Sequence, residues 1–181
     1  ADKGGASAGG GGTGVVIEDG IYLFDLIKTG AHKNPYFLNS DADLSIVSHL
    51  QRSGLPESMP LELVSMKIKD LEKLDPVLAS AVLKTISKLT WVETELELLE
   101  TTDRSDIIVK NELVQLARRD GPVVSLQARN WNALNESNKT AIIIHEAIAA
   151  LASPEVSPEQ VRSLCADFFS RRFYTRDHAF I

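Results

Sequence analysis

A chain of 181 residues is long enough for one domain with a real core and too short for two large ones. With 44% hydrophobic and 24% charged residues it has the composition of a globular protein, not of a disordered or fibrous one. A net charge of −6 argues against a nucleic-acid partner, because holding phosphates takes clustered Lys and Arg, and the only basic cluster is Arg171, Arg172 and Arg176 near the C-terminus.

The single cysteine, Cys165, excludes an intramolecular disulfide and any zinc site built from several thiolates. Lying in a helical pattern beside Leu164 and Phe168, it reads as a small buried apolar residue. No apolar run is long enough to span a bilayer. The chain opens Ala1-Asp2-Lys3 and continues into a Gly, Ala and Ser tract, as chains do after a signal peptidase has cut behind small residues. The expectation is a mature exported protein, periplasmic or secreted.

In chain order, GGASAGGGGTG, Gly4 to Gly14, is low-complexity and reads as a flexible tail. It is no phosphate-cradling loop, since it neither follows a strand nor opens a helix. VVIEDGIYLFDLIK, Val15 to Lys28, divides at Asp19-Gly20, a dipeptide suited to a tight turn, so a hairpin or one bulged strand is expected. Gly30 to Asn39, with His32 and Pro35, is a loop. Asp43 caps a short helix whose Leu44, Val47 and Leu50 recur at helical spacing and which ends at Gly54, with His49 at the edge of its stripe. A second helix, Leu61 to Leu74, starts from Ser58 and Pro60. Asp75-Pro76 then opens a third, with Leu78, Val82 and Ile86 facing inward.

The period then changes. In WVETELELLE, Trp91 to Glu100, residues Val92, Thr94, Leu96 and Leu98 alternate with Glu93, Glu95 and Glu97, which describes a strand with one buried face and one solvated acidic face. After the polar turn TTDRSD, Thr101 to Asp106, the pair Asp120-Gly121 separates two arms of a hairpin. The first, Leu113 to Arg118, fits a helix equally well; the second holds Val123, Val124 and Leu126.

Next comes AIIIHEAIAAL, Ala141 to Leu151, a helix capped by Ser137 or Asn138 and otherwise made of Ala, Ile and Leu. A helix apolar all round is a buried one, and a charged Glu inside it costs several kcal/mol unless paired. Asn135 and Asn138 also match the glycosylation tripeptide, although capping explains them more simply. A last helix spans Glu159 to about Arg171, before the tail FYTRDHAFI with His178.

His145-Glu146 on a helix behind a strand is the setting of the zinc-peptidase motif H-E-x-x-H, where two histidines one turn apart grip zinc and the glutamate activates its water. Four residues after His145 stands Ala149, so that grip is absent. A metal on His145 then needs His178 from the tail or His32 from the early loop, with a carboxylate. Otherwise His145 and Glu146 are buried polar groups whose counter-charge comes from Arg118, Arg119, Arg129 or the C-terminal arginines. No G-x-S-x-G elbow, P-loop or dinucleotide fingerprint occurs.

The order of a Gly-rich start, the VVIEDGIYLFDLIK hairpin, central helices, a Trp-bearing strand, WNALNESNKTAIIIHEAIAAL and VRSLCADFF resembles small exported proteins of predatory, Bdellovibrio-like deltaproteobacteria. The IIIHEAI segment resembles the active helix of zincin metalloproteases. The resemblance carries over His145 and Glu146 and breaks at Ala149.

The expected fold is therefore α+β, an antiparallel sheet of about four or five strands with helices on one face and the His-Glu helix crossing it. Residues 1–14 are a flexible start, 15–172 one domain and 173–181 a tail. The expected function is that of an exported zincin-like protein that has lost hydrolysis and binds a protein or cell-envelope component, of the cell itself or of prey. The alternative is a metal-dependent peptidase or envelope hydrolase in which Glu146 is catalytic and His145 and His178 are metal ligands. No cofactor is expected under the first reading, and zinc under the second.

Overall fold

The computed structural model describes residues 12–18, 20–98 and 112–175. The protein is α+β, and among the described residues it has seven α-helices and six strands. The strands do not form one sheet. They make two sheets of three, ordered β2-β1-β4 and β3-β6-β5, where β1 is Thr13–Ile17, β2 Gly20–Leu23, β3 Thr90–Thr94, β4 Leu113–Gln115, β5 Ala117–Asp120 and β6 Val123–Gln127. All pairings are antiparallel except β3 with β6, which run parallel.

The first sheet begins inside the Gly-rich tract, for Thr13 and Gly14 already belong to β1. There a side chain at Gly14 would meet Val114 Cγ2 at 2.9 Å and both Leu116 methyls at 3.0 Å. The hairpin forms as expected but turns one residue early. Ile17 pairs with Gly20, and Glu18 takes the positive φ of +46° while Gly20 starts β2. The second hairpin turns at Gly121, φ +60°, which resolves Leu113–Gln115 and Ala117–Asp120 as strand.

One residue joins the sheets. Leu116 lies between β4 and β5; its N–H donates to the Gly12 carbonyl on the first sheet's side at 2.9 Å, and its carbonyl accepts from Gln127 N–H of β6 at 2.9 Å.

In β3 the glutamates are exposed as expected, but the apolar face alternating with them is not buried. Trp91 is buried, its indole N–H donating to the Ile86 carbonyl at 3.1 Å, while Val92 and Leu96 are 39% and 76% exposed. The strand stops at Thr94; Thr101 to Asp106 and residues 99–100 lie outside the described residues.

The helices are α1 Leu44–Gln51, α2 Leu61–Leu74, α3 Pro76–Lys88, α4 Ala128–Ala133, α5 Glu136–Leu151, α6 Pro158–Phe168 and α7 Arg171–Thr175. Caps set several of their starts: Asp43 and Asp75 each accept two N–H groups, and Ser157 with Gln160 makes a reciprocal capping box. Helix α5 is capped by Asn135, two or three residues ahead of the expected ones, and α2 by no side chain. Leu44 is exposed, so α1 buries Ile46, Val47 and Leu50 instead. In α3 the inward set is Ala79, Val82 and Ile86.

Helix α5 is the core element: every residue from Asn138 to Ala149 is buried, packed by α2 and α3, by α6 and by β2. Asn138 is fully buried and accepts from Leu23 N–H at 2.8 Å while donating to the His32 carbonyl at 2.8 Å, so its side chain is no glycan acceptor in the folded protein. The chain end docks back through Tyr174, whose hydroxyl donates to the Phe168 carbonyl at 2.6 Å.

Candidate functional site

His145 and Glu146 are neighbours on a buried helix, so their side chains leave it about 100° apart and enter different surroundings. His145 meets Asp25. Residues Phe24–Leu26 form a single 3-10 turn directly after β2, and that turn drops Asp25 onto α5, where Oδ2 lies 2.5 Å from His145 Nδ1. Both side chains are 1% exposed.

Cys165 comes from α6, whose inner face is Val161, Cys165 and Phe168. Its thiol donates to the Ala141 carbonyl at 3.5 Å. One ligand atom each from Asp25, His145 and Cys165 lies within 4.8 Å of the other two, and among the described residues this is the one group of His, Cys, Asp and Glu close enough to share an ion. The three arrive from a turn, the central helix and the last long helix.

Burial pushes the Cys165 thiol well above its ordinary range, and the Asp25 carboxylate beside it pushes the same way. A nucleophilic cysteine needs a thiolate. As it stands, the thiol is a neutral donor and supports no cysteine-hydrolase chemistry.

Glu146 is 0% exposed. Neither carboxyl oxygen has a hydrogen-bond partner among the described residues, and burial raises its pKa from the ordinary carboxylate value. His145, the Arg119 guanidinium and the Gly12 N–H pull it back down, more weakly than burial raises it. Of the expected counter-charges Arg119 is the one that acts on Glu146, yet it donates to the Gly121 carbonyl at 3.0 Å rather than to the carboxyl. Burial therefore disfavours the charged form of Glu146.

The other expected ligands are elsewhere. His178 lies outside the described residues. His32 packs its ring edge-on against Tyr22, centroids 5.1 Å apart, and is not in the group that meets at His145. His49 is exposed on α1 and bonds Ser87 Oγ at 2.9 Å. Asp25 was not expected at all, although it is the only acid in YLFDLI, an anomaly of the same kind as Glu146 in AIIIHEAIAAL.

Asp25 also lines a groove of about 610 Å³ between the 3-10 turn and helices α6 and α7. Its walls carry Lys28, Arg162 and Arg172 against Glu159 and Asp167, with Thr29, Ser163 and Ser170 between them. Neither His145 nor Glu146 lines it.

Fold and site together define a class: an α+β protein with a buried Asp-His-Cys cluster under a groove of mixed charge. No family model matches the chain, and no curated protein or solved structure matches it either. Among the described residues no helix is long and apolar enough to cross a membrane.

Proposed function

We propose that this is an exported, zincin-like protein without hydrolytic activity, related to the small exported proteins of Bdellovibrio-like bacteria, which acts by binding a cell-envelope or prey component. The observation that carries the non-catalytic part is the state of Glu146. A general base must be ionised and within reach of the proton it takes. Glu146 is fully buried, is disfavoured in its charged form and lines no part of the groove. The groove supplies the binding surface: three cations, three carboxylates and three hydroxyls on a rigid frame suit a polar ligand carrying both charges, such as a peptide segment of an envelope component.

A second reading has one observation in its favour. Asp25 and Cys165 converge on His145 from distant segments, as a metal-dependent hydrolase of this kind would require.

The two separate experimentally. The zinc-supplemented protein is incubated with fluorescent casein and, in parallel, sedimented with purified envelope fragments. The expected result is no casein turnover, with sedimentation that weakens on Lys28→Ala and Arg172→Ala. Turnover that depends on zinc and disappears in Glu146→Gln would overturn the proposal, as would sedimentation indifferent to both groove substitutions.

A further inference from the structure

We propose that Asp25, His145 and Cys165 form a binding site for a divalent transition-metal ion, zinc above all, with the remaining coordination position turned toward the groove. The inference is independent of the binding function above, since an ion can sit here whether or not the groove takes a ligand.

Four observations carry it. First, carboxylate, imidazole and thiolate are the three ligand types zinc uses, and this combination favours zinc over magnesium or calcium, which prefer oxygen throughout. Second, the ligands already lie within 4.8 Å of one another. Tetrahedral zinc bonds imply separations of roughly 3.3–3.7 Å. The Asp25–His145 contact at 2.5 Å must open by about 1 Å, which is the space a metal takes when it replaces a proton held between two ligands.

Third, Asp25 Oδ1 is buried and has no hydrogen-bond partner among the described residues, although buried acceptors are nearly always satisfied. Fourth, Asp25 and Cys165, two groups that can become anions, converge on one buried imidazole from separate segments of the chain. Protons are one way to neutralise such a cluster, and a divalent cation is the other. Of the three ligands Asp25 alone lines the groove, which makes it the side from which an ion would enter.

Loading is a proton exchange. The metal forms bonds to Asp25 oxygen, His145 nitrogen and Cys165 sulfur. The thiol proton leaves to solvent, and the hydrogen between Asp25 and His145 leaves Nδ1 for solvent or for Nε2, so at least one proton is released and affinity rises with pH. Because Glu146 does not line the groove, the ion serves to hold this corner of the fold and to accept one donor atom from the groove.

The test uses the full chain, treated with chelator and titrated with Co²⁺ and then Zn²⁺. Expected are one equivalent of Co²⁺ with a thiolate charge-transfer band, displacement by Zn²⁺, and release of at least about one proton per ion. Cys165→Ser should abolish the band, and His145→Gln should weaken binding at least about tenfold, while His49→Gln changes neither. A second measurement needs no variant: one equivalent of Zn²⁺ should slow alkylation of Cys165 in the intact protein. The proposal is overturned if folded wild-type protein takes up no Co²⁺, if the band survives Cys165→Ser, or if zinc leaves the alkylation rate of Cys165 unchanged. None of these outcomes depends on casein or on envelope fragments.

Discussion

Glu146 occupies the least favourable place in the protein for a carboxyl group, and it bears on stability more than on chemistry. Its two oxygens have no hydrogen-bond partner among the described residues, and a buried acceptor left so costs on the order of 1–3 kcal/mol. Burial raises its folded pKa above the ordinary 4.5. Above pH 4.5 the unfolded chain gives up this proton while the folded chain keeps it, so the folded state binds more protons and stability falls as pH rises through that window. Glu146→Leu should therefore stabilise the protein by about 1–3 kcal/mol at pH 7, with less gain at pH 5, as read from chemical denaturation at the two values. An equal or larger gain at pH 5 would contradict this account of Glu146. His145 differs from its neighbour because Asp25 meets it. That meeting was not legible in the sequence: a 3-10 turn of three residues sets it, and nothing in FDLIK distinguishes that turn from the end of a strand.

Elements were legible where the decisive interaction is local. Asp43 and Asp75 each bond backbone N–H groups two and three residues on, so the starts of α1 and α3 can be read from a few adjacent letters. The buried character of α5 follows from its composition alone. Where the outcome depends on distant partners, the letters mislead. Trp91 faces inward and Val92 outward because β3 pairs in parallel with β6 and Trp91 reaches the Ile86 carbonyl, neither of which a period of two contains. Helix α4 is six residues long, under two turns, and shows no period. At the start of α5 two asparagines divide the work: Asn135 accepts from the Asn138 N–H, whereas the Asn138 side chain ties β2 and the His32 loop to the helix. Cap loss costs about 1 kcal/mol, and loss of a buried residue bridging two segments costs more, about 2–3 kcal/mol by the usual 1 kcal/mol per hydrogen bond plus the amide and carbonyl left unmet. Asn138→Ala should thus lower stability more than Asn135→Ala, by urea denaturation of the two variants. The reverse order would show that the tie through Asn138 contributes little.

At the scale of the whole molecule, Lys67 of α2 ties the last described segments of the chain to the core. It is fully buried and donates to the Tyr36 and Phe168 carbonyls at 2.7 and 2.6 Å. Asp70 lies 2.9 Å away, and the rings of Phe37, Phe169 and Tyr174 surround the ammonium at 4.6–4.9 Å. One amine thus holds the 36–39 segment, the end of α6 and α7 onto α2. Burial lowers its pKa from 10.5 to about 8, against the raising effect of Asp70. Between those values the unfolded chain binds the proton and the folded chain does not, so stability rises with pH from about 8 toward 10.5. Tyr174 works the other way above pH 10, since burial raises its phenol and only the unfolded chain then ionises. Lys67→Met keeps the stem but leaves the Tyr36 carbonyl unmet. It should cost about 2–3 kcal/mol at pH 7 and remove the rise between pH 8 and 10, both read from denaturant titrations across that range. A rise that persists in the variant would assign it to another group.

Leu116 gives the two sheets a common mechanical fate. The peptide units on either side of a single α-carbon carry load from both: the N–H is fastened toward Gly12 and the carbonyl toward Gln127. Ala117 reinforces the junction, its N–H also donating to the Gly12 carbonyl at 3.2 Å, so no slack segment separates the sheets. The two sheets are therefore expected to open together as one cooperative unit, where their strand order suggests two.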